Sequence, residues 1–190
     1  MVVSPFACAG LLIGSFVVGG ACQSAWFAHP ASKRFMWPLD GGRTFRGRRI
    51  FGANKTARGF FVIVPATSLA MAAFGTVAQQ AKLGIWPLSF PRLLLLGTTS
   101  ALGLMLGELP NSFVKRQMDI ESGKPPKHRV GRVISALADR LDSVVGALVG
   151  AALVVDLSWK TVLWCFALGP PIHGLFSVLL YTLGVKKRMG

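Results

Sequence analysis

The apolar residues of this chain are gathered into runs long enough to cross a bilayer, and that constrains its fold more than any other feature. A membrane-crossing helix needs about 20 mainly apolar residues. Runs of that kind extend from Pro5 to Phe27, Gly59 to Ala78 and Leu88 to Leu109. A fourth starts near Leu141 and ends near Leu157, and a fifth runs from Val162 to Val185. The fourth is short in apolar residues, so it is expected to extend N-terminally into a polar, protein-lined region. The fifth contains Pro170-Pro171, which removes backbone donors and predicts a kink or break. The expected fold class is therefore an all-α integral membrane protein, a single-domain bundle of about five transmembrane helices.

The formal charge is +14, from 21 basic residues against seven acidic ones. Such a balance suits anionic lipid or nucleic acid. A nucleic-acid protein wants a basic face on a soluble fold with stacking aromatics. Here the aromatics lie mostly inside apolar runs, so no nucleic-acid partner is expected and the membrane reading is preferred. The basic residues are distributed unevenly. The stretch from 28 to 58 carries eight Lys/Arg, the stretch from 110 to 140 carries seven, and Lys186, Lys187 and Arg188 close the chain. Only Lys82, Arg92 and Lys160 fall on the other side. Positive loops stay inside. Both long loops and the C-terminus are thus predicted to be cytoplasmic, with the N-terminus outside, in a cell (inner) membrane. No basic region precedes the first apolar run, so an uncleaved first helix is expected.

Cys8, Cys22 and Cys165 lie in apolar runs without CxxC or Cys/His pairing, and read as buried, inert thiols. The pairs Gly10/Gly14, Gly103/Gly107 and Gly146/Gly150 have GxxxG spacing, which lets helix backbones approach closely. Packing within one bundle is the first reading, and a homodimer seam the second. His29 and His128 sit in basic loops. His173 is a lone histidine in the fifth run.

Charge at membrane depth costs about 2.5–3.5 kcal/mol on insertion scales, so charged groups at span edges need a reason. Three groups stand out. The first is the glycine-rich basic segment from Asp40 to Gly59. Its glycines permit close backbone approach to an anion, and its cations neutralise one. A following helix starting near Lys55 would aim free N–H groups at the same site. The competing reading is a loop that only sets topology. The second group is Gly107-Glu108-Leu109-Pro110-Asn111-Ser112-Phe113-Val114-Lys115-Arg116. Ser112, Lys115 and Arg116 share a helix face, with Glu108 one turn earlier. Such a face suits magnesium and phosphate, or simply a capped helix end. The third is Asp139-Arg140-Leu141-Asp142-Ser143. Its two carboxylates lie one turn apart, about 4.5 Å in rise. They suit one magnesium with phosphate oxygens and water, or two metals, or ion pairs with loop arginines.

SFVKR at 112–116 followed by ADRLDS at 138–143 is similar to the signature of the CDP-diacylglycerol synthases (phosphatidate cytidylyltransferases). The segment DGGRTFRGRRIFGANKTARG at 40–59 more closely resembles the short CDP-archaeol synthase branch. So do the five-span plan and the ending PPIHGLFSVLLYTLGVKK at 170–187. The resemblance implies one cytidylyltransferase-like domain that uses CTP and Mg2+ to convert a lipid phosphate into its CDP-activated form, with release of pyrophosphate. It carries metal binding onto Asp139 and Asp142, with Glu108 standing where the family usually has aspartate. It carries catalytic roles onto Asp139, Asp142, Lys115 and Arg116, and substrate binding onto Asn54, Lys55, Thr56, Ser112 and Arg140. Two other functions stay open on the sequence: a CTP-dependent lipid or polyprenol kinase, and a non-catalytic lipid-binding membrane protein.

Overall fold

The structure, a computed structural model, describes residues 3–122 and 128–184. Five long helices make up most of it: α1 (Pro5–Ala28), α2 (Phe60–Gln80), α3 (Phe90–Gln117), α4 (Arg129–Ala152) and α5 (Trp159–Thr182). Each starts where local chemistry allows. Ser4 caps α1 by accepting from the Ala7 N–H at 3.3 Å, and Pro5 fills the first position, where no donor is missed. Ser158 caps α5 by accepting from the Thr161 N–H at 3.2 Å.

Among the described residues, the helices α1, α3, α5 and the stretch Ala57–Gln80 are long and apolar enough to cross a membrane. α4 is not, because Arg132, Asp139, Arg140 and Asp142 interrupt it before its apolar C-terminal part. Its apolar part matches the expected fourth run; in the polar extension Asp139 meets Asn111 and Lys115 of α3, while Val133, Ile134 and Leu137 are exposed. The protein is a multi-pass membrane protein.

Three expectations are corrected. α2 begins at Phe60 after a 3-10 turn at Ala57–Gly59, so Lys55 belongs to the loop and no helix start faces it. Of the kink or break expected at Pro170-Pro171, the break does not occur, since α5 continues through both prolines. Cys22 is exposed on α1, although Cys8 and Cys165 are buried. The helix α3 also continues beyond Leu109, passing Pro110 to reach Gln117. Val185, Lys186, Lys187, Arg188 and Lys124 lie outside the described residues.

The helices form a closed ring in which each touches its sequence neighbours and α5 returns to α1. The apolar core fills one end, where Cys8, Leu12, Met71, Leu93, Leu96 and Ala151 meet. At that end the Ser4 N–H donates to the Gly84 carbonyl at 2.7 Å, and the Trp86 indole donates to the Asp156 carbonyl at 3.3 Å. The N-terminus and the two short interhelix turns are thereby tied together. The two basic loops emerge at the opposite end, roughly 20 Å away along α3 at 1.5 Å per residue.

The tightest seam joins α3 to α4. A Cβ on Gly103 would lie 2.1 Å from the Gly146 carbonyl oxygen, and one on Gly146 would lie 2.1 Å from that of Gly103. Gly150 meets the Thr99 carbonyl at 2.1 Å, and Gly107 meets that of Asp142 at 2.6 Å. Two of the three GxxxG pairs therefore face each other within the bundle. Gly10 has nothing within 4 Å of its would-be Cβ.

Candidate active site

The α3–α4 seam ends in a polar cluster. Because Gly107 lets the Asp142 backbone come close, the next residue of α3, Glu108, stands beside the fourth turn of α4. The Ser143 hydroxyl donates to Glu108 Oε1 at 2.8 Å and lies 3.3 Å from Asp142 Oδ1. Ser143 is buried, at 1% exposure. One turn further along α3, Asn111 donates through Nδ2 to Asp139 Oδ1 at 2.7 Å and Asp142 Oδ2 at 2.9 Å. The two aspartates do point the same way. One turn beyond Asn111, Lys115 forms an ion pair with Asp139. From α5, His173 Nε2 stands 3.9 Å from Glu108 Oε1.

The first loop closes the cluster. Lys55 forms an ion pair with Glu108 across the loop–helix boundary. The loop holds Lys55 there through its own fold. Thr44–Phe45 and Arg48–Arg49 form a two-stranded hairpin (β1 and β2) in antiparallel register. Its turn residues, Arg46 and Gly47, both have positive φ, at 54° and 77°, as the tight type I′ connection requires. Phe45 packs on Phe113 with ring centroids 5.8 Å apart. Arg48 donates to the Gln117 carbonyl at 2.6 Å and pairs with Asp119. The hairpin is thus fastened to the end of α3.

The glycine-rich segment does bind an anion, and that anion is its own Asp40. The N–H groups of Gly42, Phe51 and Gly52 donate to the Asp40 carboxylate at 3.0–3.1 Å, and Arg49 forks onto both oxygens. Burial works against the charge. The Arg49 guanidinium and these three N–H groups outweigh it and hold the Asp40 carboxyl well below the usual carboxylate range.

The remaining predicted residues sit around this centre. Arg116 donates to Ser122 Oγ at 3.1 Å under Gly52, whose φ of 98° and lack of Cβ let Ser122 Oγ approach to 2.0 Å of the would-be Cβ. Ser112 donates back to the Glu108 carbonyl at 2.8 Å. Arg140 lies against Gly174 of α5. Thr56 is buried opposite Pro38, while Asn54 is exposed. Glu108, Lys55, Lys115, Asp139 and Asp142 are therefore brought together, with Arg116, Ser112 and Arg140 at the margin.

Three cluster members were assigned no role from sequence. Asn111 had a legible signal, since it lies three residues from Glu108 and four from Lys115 on the same helix face. Ser143 was adjacent to Asp142 but carried no pattern of its own. His173 reaches Glu108 only because α5 closes the ring.

Carboxylates and cations interleaved at one rim of a ring of membrane helices mark a multi-pass membrane protein with a charged site at that rim. Residues 36–189 match the family model described as CarS-like, CDP-archaeol synthase. The chain is 35% identical over 159 residues to the CDP-archaeol synthase of Methanospirillum hungatei, covering 79% of this chain and 87% of that protein. It is 30% identical over 172 residues to that of Methanosphaerula palustris, covering 85% and 96%. A solved intramembrane enzyme for archaeal membrane lipid biosynthesis shares the fold, with a TM-score of 0.59, 24% identity, and coverage of 88% and 94%. The chain belongs to the CDP-archaeol synthase family, a family of cytidylyltransferases.

Proposed function

We propose that this protein transfers the cytidylyl group of CTP to a membrane lipid phosphate, either an archaeal-type diether glycerol phosphate or a phosphatidate-like lipid. A phosphate oxygen of the lipid attacks the α-phosphorus of CTP. The bond from that phosphorus to the bridging oxygen breaks, and pyrophosphate leaves with the electron pair. No protein nucleophile takes part. The side chains act by positioning the triphosphate and balancing its charge. Lys55 and Lys115 approach the site from two elements and exchange their carboxylate partners for phosphate oxygens. Arg116 and Arg140 add positive potential at the margin. Asn54, Thr56 and Ser112 bind the nucleotide from the loop side.

The donor set suits magnesium. Among the described residues no three His, Cys, Asp or Glu form a ready metal cage. Magnesium usually takes only one or two carboxylates and completes its shell with phosphate oxygens and water. Glu108 and Asp142 converge on one hydroxyl, and among the described residues no Lys or Arg pairs with Asp142. Asp142 with Glu108, and Asp139 beside them, would hold the ion. When bound, it supplies neutralising charge to the triphosphate.

The observation that carries this reading is the convergence of Glu108, Asp142 and Lys55 from three elements at the basic rim of the ring. We place that rim and the C-terminus on the cytoplasmic side and the N-terminus outside, on the strength of the Lys/Arg distribution. The deciding experiment uses purified protein, magnesium and CTP labelled at the α- or γ-phosphate. Label from the α position should enter the lipid and label from the γ position should leave as pyrophosphate. Transfer of γ label to lipid would make the protein a kinase.

A further inference from the structure

A groove of about 420 Å3 opens beside this site, between the end of α1, the 3-10 turn at Pro30–Phe35 and the start of α2. Trp26, Phe35, Trp37, Arg58, Phe61 and Val62 line it. Its rings form a continuous wall: Trp26 and Phe35 have centroids 5.7 Å apart, Phe35 and Trp37 5.8 Å. Despite these contacts Trp37 and Phe61 remain 57% and 62% exposed. Exposed Trp and Phe at the mouth of a membrane helix suit the headgroup boundary, where one side is apolar and the other wet.

Arg58 is the only charged residue lining the groove. Its guanidinium lies 4.3 Å from the Phe27 ring centre, and Nη1 donates to Ser32 Oγ at 3.3 Å. Arg48, Arg49, Lys55 and Lys115 each have a carboxylate partner. Among the described residues Arg58 has none. It is thus a positioned cation with no anion, in an otherwise apolar groove.

The groove adjoins the carboxylate cluster. Arg58 follows Lys55 by three residues, and Lys55 reaches Glu108. A Cβ on Gly59, the next residue, would lie 2.9 Å from Met105 Cε, one turn before Glu108 on α3.

We infer that this groove seats the lipid phosphate substrate, with Arg58 holding the phosphate and the aromatic wall covering the start of the hydrocarbon chains. This rests on the cytidylyl-transfer reading and adds to it a lipid subsite separate from that of the nucleotide. One cation among five apolar walls matches an amphiphile with a single anionic head. A triphosphate would leave most of its charge against apolar surface. A phosphate monoester carries up to two negative charges where bulk phosphodiester lipids carry one, so Arg58 favours the substrate over its membrane surroundings.

The test is tryptophan quenching in the full chain, reconstituted in nanodiscs of neutral phosphatidylcholine. The probes are two monoesters with brominated chains, phosphatidate and a diether glycerol phosphate, against brominated phosphatidylglycerol. At least one monoester should quench saturably and more tightly than the diester. Arg58→Gln should weaken that binding at least tenfold, Arg58→Lys should keep it within a few-fold, and a Trp26→Phe/Trp37→Phe variant should lose the saturable component. In turnover, Arg58→Gln should raise the KM for lipid phosphate at least tenfold and leave that for CTP within twofold. Equal quenching by monoester and diester, or a rise in the CTP KM alone, would overturn the proposal. Quenching requires no CTP. Selective quenching without cytidylyl transfer therefore upholds the groove while removing the reading of the reaction. If Arg58→Gln fails to fold, Arg58→Lys and the tryptophan variant carry the result.

Discussion

Lys55 and Glu108 lie fifty-three residues apart and form an ion pair that joins the first basic loop to α3 at the rim of the helix ring. Their side chains are 23% and 20% exposed, so neither charge is well hydrated. Removing Lys55 strands a carboxylate at a cost of about 3 kcal/mol, the low end for a buried pair. Lys55→Met should therefore lower the thermal midpoint in detergent, and Lys55→Met/Glu108→Gln should restore most of it. The double variant should remain inactive in α-labelled CTP transfer, because the proposed reaction uses both groups. A midpoint that stays low in the double variant would show that the two side chains do not stabilise each other.

Asp142 and Asp139 are one turn apart but differ in surroundings. Asp142 is held between Asn111 and Ser143, whereas Asp139 is 50% exposed and paired with Lys115. Asp142→Asn keeps the shape and removes a carboxylate proposed to hold the magnesium ion that neutralises the triphosphate. It should lower kcat by about a hundred- to a thousand-fold, the usual effect of one lost electrostatic contact of this kind. Asp139→Asn should cost less than this, because Asp139 is half exposed and stands at the edge of the proposed magnesium-holding set. Magnesium titrations of both purified variants check this. Near-normal turnover of Asp142→Asn at low magnesium would remove Asp142 from the active site.

The α3–α4 seam has no room for a methyl group. Gly146→Ala would place its Cβ 2.1 Å from a backbone oxygen that cannot swing away. The helices must separate, and Glu108 moves away from Ser143 and Asp142. Loss of both thermal stability and transfer activity is expected. Gly10→Ala, at a position with nothing within 4 Å, is the matched control and should leave both unchanged. Equal behaviour of the two variants in a melting experiment would contradict the seam.

Asp40 gives the first loop a pH dependence with a definite sign. Its folded carboxyl is held below the ordinary range, so it contributes stability above the unfolded value of about 3.9. That contribution is lost only as pH falls through the lower folded value. The thermal midpoint of the native protein should exceed that of Asp40→Asn at pH 6, and the gap should narrow as pH drops below about 4. A gap that widens on acidification would mean that Asp40 is not held as a carboxylate by Arg49.

Much of this protein was legible along the chain because burial in lipid acts locally. Runs of about 20 apolar residues have no stable alternative to helices in a bilayer, and α1, α2 and α5 follow the predicted spans closely. Asp139 and Asp142 were readable as a pair because helical spacing alone puts them on one face. Other features depended on which surfaces meet. Composition marked the glycine-rich loop as an anion site, but only the fold shows that Asp40 occupies it. Arg116 has the right spacing for the cluster and is drawn instead beneath Gly52 to Ser122. Spacing could not pair Gly103 with Gly146, bring Lys55 to Glu108, or carry His173 to within 3.9 Å of the same carboxylate. Periodicity specifies which residues share a face of one helix. Which faces meet is decided by close packing around the whole ring, where small residues let α3 and α4 touch and α5 closes against α1.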